Sequence, residues 1–264
     1  MRLTNREIAI YFSLEAKGDW NMIYESFVRQ KYEFDNEEIL RRMRSLKSKT
    51  LTIFDDEYPD YLKTIPHPPF VLYYYGDISL IQDVEKNMSI VGCRKPSAQG
   101  VKSTEYLADA LSDNFVIVSG LAKGVDGIAH QTTLDANGRT IAILGSGIDY
   151  CYPQENLEIY YRIKKNPNCL LISEFPEDTL PEPTNFPERN RLIAAFARGV
   201  IITEAKYKSG TSITALYALD MNKDVMVLPN EPFNDSLCNK LISEGARLID
   251  SVNDVYDEIG FKLF

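Results

Sequence analysis

Six short apolar runs in the sequence each lead into residues suited to holding an anion. MSIV is followed by GCRKPSAQG (92–100), and FVIV by SGLAKGVDGIAH (119–130). RTIAIL runs into GSGIDYCYP, and CLLI into SEFPEDTLPEPTNFPERNR. GVII leads to TEAKYKSGTS and DVMVL to PNEPFNDS. Glycines at such joints let backbone N–H groups approach an oxyanion, and a following helix adds the partial positive charge of its N-terminus. Arginine and lysine complete the match to phosphate. The joints supply Arg94, Lys95, Lys123, Arg189, Arg191, Lys206 and Lys208. An anionic group, phosphate above all, is expected at the Ser119–Gly120 end of its strand, anchored by Lys123.

Catalytic chemistry is harder to assemble. The chain has two histidines, His67 and His130. Asp126 and His130 stand four apart on an expected helix and could face each other, but no third metal ligand is marked; a structural role is expected for the pair. Ser119 and Ser146 lack a nearby base, and no Gly-x-Ser-x-Gly occurs. Glu174 and Glu204 each end a strand, where a carboxylate can act as general base or pair with the arginines at 189–191. No nucleophile, base and orienting group come together. The GxGxxG dinucleotide fingerprint follows none of the runs, which argues against a nicotinamide enzyme. No catalytic, cofactor-binding or metal-binding residue is expected.

These groups need a scaffold that brings strand ends to one rim. The apolar runs are rich in β-branched residues and alternate with segments of helical spacing, the pattern of a parallel sheet covered on both faces. Residues 88–264 are therefore read as an α/β, Rossmann-like, doubly wound, mostly parallel sheet, whose ligands sit at the carboxyl ends of strands where strand order reverses. Residues 1–50 read as a small all-helical domain. Thr4 and Glu7 fit a capping box, a second helix is expected from Trp20 to Gln30, and Asp35 is placed to cap a third. Residues 51–87, rich in proline and tyrosine, read as an extended connector packed on the main domain. The basic cluster RRMRSLKSK (41–49) is either a solvated helix face or an auxiliary phosphate-contacting surface. Leu237, Leu241, Ile242 and Leu248 form an apolar series that is either core or a shared interface.

Composition sets outer limits. The 264 residues are 44% hydrophobic and 25% charged, ordinary for a globular chain. The net charge of −9 argues against a protein coated in positive charge, so an anionic partner must be gripped locally. No run approaches the length of a membrane span, and no signal peptide is expected. The four cysteines show no ligand spacing and read as buried free thiols in a reducing cytoplasm.

The ordered series GCRKPSAQG, SGLAKGVDGIAH, TIAILGSGIDYCYPQEN, LLISEFP, FPERNRLIAA, VIITEAKYKSGTSITALYAL and CNKLISEGARL resembles the DNA-processing protein A family, also called DprA or Smf. The N-terminal helices and the YPDYLKTI…PPFVLYYYG connector resemble, less specifically, the sterile-alpha-motif-like domain and extension of many members. The resemblance implies an extended Rossmann fold and a non-enzymatic, cytoplasmic homodimer. It implies a protein that binds and protects single-stranded DNA and helps load the RecA recombinase onto it during natural transformation. Carried over by motif, the DNA pocket takes Arg94, Ser119, Gly120, Lys123, Arg189, Asn190 and Arg191, with Lys206 and the Ser209–Gly210–Thr211 turn beside it. Phe175, Phe186 and Tyr207 are candidates for stacking on bases. Three positions depart from the family pattern: Cys93 replaces serine, Asn230 replaces glycine, asparagine being a residue that tolerates left-handed backbone angles, and Leu237 replaces glycine. The winged-helix domain of many members is not expected, since the sequence ends at Phe264. The alternatives are an enzyme that cleaves the base–ribose bond of nucleoside monophosphates through Glu204, and a small-nucleotide sensor.

Overall fold

All six apolar runs become strands, and the computed structural model shows why they carry no polar face: helices cover both sides of one sheet. The structure describes residues 3–29, 35–177, 179–207, 209–231 and 236–260. Three helices come first, α1 (Asn5–Glu15), α2 (Trp20–Arg29) and α3 (Asn36–Ser45). Thr4 closes the expected capping box with Glu7, and Asp35 accepts from the amides of Glu37 and Glu38. Strands β1 (Lys49–Thr52) and β2 (Val71–Gly76) follow. Then come β3 (Asn87–Val91), α4 (Ala98–Ser112), β4 (Val116–Ser119), α5 (Val125–Asp135), β5 (Thr140–Leu144), α6 (Leu157–Lys165) and β6 (Leu170–Ser173). The chain continues through α7 (Asn185–Ala195), β7 (Gly199–Ile202), α8 (Gly210–Asp220), β8 (Asp224–Val227), α9 (Leu237–Ser243), β9 (Arg247–Leu248) and α10 (Val252–Glu258).

The nine strands form one sheet in the order β1-β2-β6-β5-β4-β3-β7-β8-β9. From β6 to β9 every pairing is parallel. Strand order reverses between β3 and β7, where Val91 pairs with Ile202, and this opens a crevice at the carboxyl ends. The expected connector (51–87) contributes β2 and the second half of β1, which starts at Lys49 inside the expected helical segment. β2 runs antiparallel to β6, with Tyr73 opposite Ser173, and β1 antiparallel to β2.

Alternation along each strand splits the core. Val91, Val118, Ile143, Ile172 and Ile202 face α7, α8 and α9. Ile90, Ile117, Ala142, Leu171 and Ile201 face the other way, toward α4, α5, α6 and α10. Helix α1 joins that second face through Ala9 and Ile10 on Val71 and Tyr73. Trp20 Nε1 donates to Pro68 O at 2.8 Å, tying α2 to the same body. Among the described residues no helix is long and apolar enough to cross a membrane.

The apolar series near the C-terminus divides. Leu237 and Leu241 are buried in the core around α9, and Ile242 packs against it. Leu248 is exposed on the edge strand β9. The four residues therefore do not form one surface patch, because the helical period turns the α9 leucines inward. Asn230 does not adopt a left-handed backbone. Instead its amide nitrogen donates to Asn239 Oδ1 at 2.9 Å and its side-chain oxygen accepts from Ser236 Oγ at 3.0 Å.

Candidate functional site

A pocket of about 630 Å³ opens at the reversal point between β3 and β7. Its walls come from the segments after β3, β4 and β7, from the face of α7 that carries Phe186, Arg189, Asn190 and Ile193, and from Tyr152 and Pro153. Arg94, Gly120, Lys123, Arg189, Asn190, Lys206, Ser209, Gly210 and Thr211 all line it. Nine of the eleven expected pocket residues therefore converge on one cavity; Ser119 and Arg191 do not. Lys208 lies outside the described residues.

The segment after β4 has an unusual backbone. Leu121 adopts φ 55° and Gly124 φ 74°. A left-handed leucine is costly and persists only where its surroundings hold it. Asn156 supplies the hold: its Nδ2 donates to Leu121 O at 3.0 Å and Ala122 O at 2.9 Å. Gly124 also brings two rim segments together. A Cβ there would lie 2.4 Å from Cys93 O and 2.6 Å from the Arg94 carbonyl carbon, while Val125 N donates to Cys93 O at 3.2 Å.

Asp126 changes the expected role of the glycine turn. Its Oδ2 accepts from Gly120 N at 3.1 Å and from Ala122 N at 3.4 Å. These amides are occupied by a carboxylate of the chain and are not offered to a ligand. Ser119 is fully buried and donates its hydroxyl to Ile90 O at 2.7 Å. The α8 N-terminus is one joint that no side chain caps among the described residues. Ser209 makes no side-chain cap to α8, and its buried hydroxyl has no partner among the described residues. Thr211 and Asn190 pin this turn, donating to Gly92 O and Gly210 O at 3.1 Å each.

Arg189 forms the floor. It is buried, and its Nη1 donates to Gly120 O at 2.8 Å and to Ile143 O. Burial pushes its pKa down to about 10, opposed by the attraction of Asp126 and reinforced by repulsion from Arg94. Burial likewise raises the pKa of Asp126, with Arg189 opposing. Arg189 thus remains a cation at neutral pH, fixed by protein oxygens beneath the rim.

Above it, Arg94, Lys95 and Lys206 are exposed, and among the described residues they make no ion pair. Lys123 pairs with Glu155. Phe186 lines the pocket with Tyr152, their rings 5.4 Å apart and tilted by 40°. The other two stacking candidates stand elsewhere. Phe175 is buried, and Tyr207 sits under Lys240, whose Nζ lies 4.4 Å from its ring centre. Tyr152 and Asn156 escape a reading of the sequence, although both fall in the CYPQEN motif that follows β5.

Arg191 is the main correction. Its guanidinium is fully buried and meets both oxygens of Glu174 at 2.5 Å. It also donates to Pro66 O and His67 O at 3.0 Å and 2.6 Å, locking the connector to α7. Glu174 is thereby committed to structure. Glu204 is committed too: it accepts from Ser97 N at 3.0 Å and Ser97 Oγ at 2.6 Å at the start of α4. His130 is buried, with Nδ1 against Thr140 Oγ1 at 2.7 Å; that hydroxyl donates to Ile117 O, so the ring nitrogen donates. Burial pushes its pKa down to about 3. Among the described residues no cluster of His, Cys, Asp or Glu is built to hold a metal.

Cys93 departs from the expected buried thiols. It lines the pocket half-buried, while Cys151, Cys169 and Cys238 are buried. Burial, with Glu204 adding repulsion, pushes its thiol up to about 11, which keeps it protonated. The basic cluster at 41–49 lies away from the pocket, with Arg41 on Glu38 and Arg42 on Glu15.

Comparison with known proteins matches this architecture. The profile of the family described as DNA recombination-mediator protein A covers residues 49–260. The chain is 39% identical to Protein Smf of Synechocystis over 93% of its length, spanning 63% of that relative. It is 38% identical to the DNA processing protein DprA of Bacillus subtilis over 84% of its length, spanning 74% of that protein. The crystal structure of DNA processing protein A from Streptococcus pneumoniae superposes with a TM-score of 0.80 at 32% identity, covering 100% of both chains. The Helicobacter pylori protein, solved in a study of its single-stranded DNA binding mode, gives 0.73 at 31% identity, covering 81% of this chain and 96% of that one. With its profile, its relatives and its sheet in agreement, the chain belongs to the DNA recombination-mediator protein A family, the DprA or Smf proteins.

Proposed function

We propose that this protein binds single-stranded DNA in the pocket at the β3–β7 reversal, protects it, and passes it to the RecA recombinase during transformation or recombination in the cytoplasm. The observation that carries the reading is the grouping, within one cavity, of Arg94, Lys95 and Lys206, which make no ion pair among the described residues, the uncapped α8 N-terminus, and the Phe186–Tyr152 rings. Phosphates meet the cations and helix end, and unstacked bases meet the rings. Single strands fit this arrangement because their bases are free to enter. None of the groups distinguishes one base from another, so sequence preference is weak.

The Helicobacter relative supports the choice of ligand; RecA as recipient and a homodimer as the working form rest on the family. A dimer would place two pockets on one strand and raise avidity through effective concentration. Catalysis has little to work with. Glu204, the residue a base-cleaving enzyme would need free, is held by Ser97.

The test compares single- and double-stranded oligonucleotides of equal length at two salt concentrations. Tighter binding of the single strand, weakening as salt rises, is expected. Equal affinity for the two forms overturns the reading.

A further inference from the structure

Lys123 differs from the other exposed cations of the rim. Arg94, Lys95 and Lys206 make no ion pair among the described residues, whereas the Lys123 ammonium meets the Glu155 carboxylate. Glu155 lies in the short turn 154–156, and the next residue, Asn156, fixes the Leu121–Ala122 backbone that carries Lys123. The same turn therefore sets both the shape of the loop and the charge at its tip. Both partners are exposed, 48% and 61% at the side chain, so the pair opens readily in water. A lysine ammonium on a flexible stem can turn from one oxyanion to another.

We propose that Glu155 is an internal competitor for the DNA phosphate at Lys123, an inference that rests on the single-strand reading above. A phosphate reaching Lys123 must displace the carboxylate, which then remains at the rim as a like charge. Glu155 thus weakens the hold of the pocket and favours release of the strand to the next protein. The hydrogen bond from Lys123 holds the Glu155 pKa below its usual value, so the competitor is ionised throughout the neutral range.

The test is fluorescence anisotropy with labelled oligo-dT on the full chain, comparing wild type, Glu155→Gln, Lys123→Gln and the double variant. Exposed pairs of this kind convert to about a two- to five-fold gain in affinity for Glu155→Gln at low salt. The gain should vanish in the Lys123→Gln background, because the two residues act through one contact. Glu158→Gln removes the same charge from an exposed position on α6 and should change nothing. Unaltered or weaker binding by Glu155→Gln overturns the proposal while leaving the single-strand reading intact. An equal gain from Glu158→Gln, or a gain that survives without Lys123, overturns it in favour of general charge. No binding by wild type overturns the single-strand reading, and this inference with it.

Discussion

Arg189 and Arg191 stand two residues apart on α7 and serve opposite sides of it. Arg189 reaches Gly120 O on the pocket floor, and Arg191 reaches Glu174 and the His67 carbonyl on the far side. Two residues turn a helix by about 200°, so both cannot enter the same cavity. One helix thereby positions the site with one face and fastens the N-terminal extension with the other.

Replacing Arg191 should damage the fold and not the binding surface. Arg191→Met leaves Glu174 buried without its partner, a loss of roughly 3–5 kcal/mol. Urea titration should show that fall in unfolding free energy. At a temperature where the variant is folded, oligo-dT affinity should match wild type. Stability near wild type with lost binding would return Arg191 to the DNA site.

Asn156 should matter for both shape and binding. Asn156→Ala takes the side-chain donor from the carbonyls of Leu121 and Ala122, of which Ala122 O keeps the Gly127 amide, a cost of about 1–3 kcal/mol. The left-handed Leu121 then loses the bonds that hold it, and Lys123 loses its fixed base. Expected results are a lower melting temperature and weaker oligo-dT binding at full folding. A variant that melts earlier but binds normally would show that the loop is ordered without Asn156.

The sheet was legible because β-branched runs buried on both faces leave an unbroken apolar pattern, and because most of them lead into segments that carry glycine or cations. The gathering at one rim followed from parallel topology. What failed has physical causes. The word RNR shows two arginines and not the helical phase that separates them, although Phe186, Arg189, Asn190 and Ile193 at helical spacing mark the pocket side. The glycine turn suggests open amides, but whether Asp126 folds back onto them depends on the rotation of α5. Asn156 acts across 34 and 35 residues of sequence, beyond the reach of local pattern. Leu237 and Leu241 look like a patch until α9 turns them toward Ala205 and Val227, members of the same core.

Arg94 carries the most direct test of the rim. It is exposed, without an ion pair among the described residues, and it faces the cavity. Arg94→Glu should abolish oligo-dT binding in anisotropy while the thermal melt stays near wild type, since surface substitutions typically cost within about 0.5 kcal/mol. Charge reversal at Arg41 and Arg44 on α3 should have a smaller effect. The reverse order of effects would move the DNA surface to the helical segment.

His130 should give the fold a pH dependence of its own. In the folded chain burial holds it near 3, against an ordinary value of 6.5. Between these values the unfolded chain binds a proton that the folded chain refuses, so stability falls as pH falls. The contribution is complete above about pH 6.5 and lost progressively toward pH 3. His130→Gln removes this linkage. Chemical denaturation from pH 7.5 down to 4.5 should show the advantage of wild type over the variant shrinking with each step toward acid, whatever the carboxylates do to both. A constant difference across that range would mean that His130 takes up its proton inside the fold, and that its fully buried ring is reached by water.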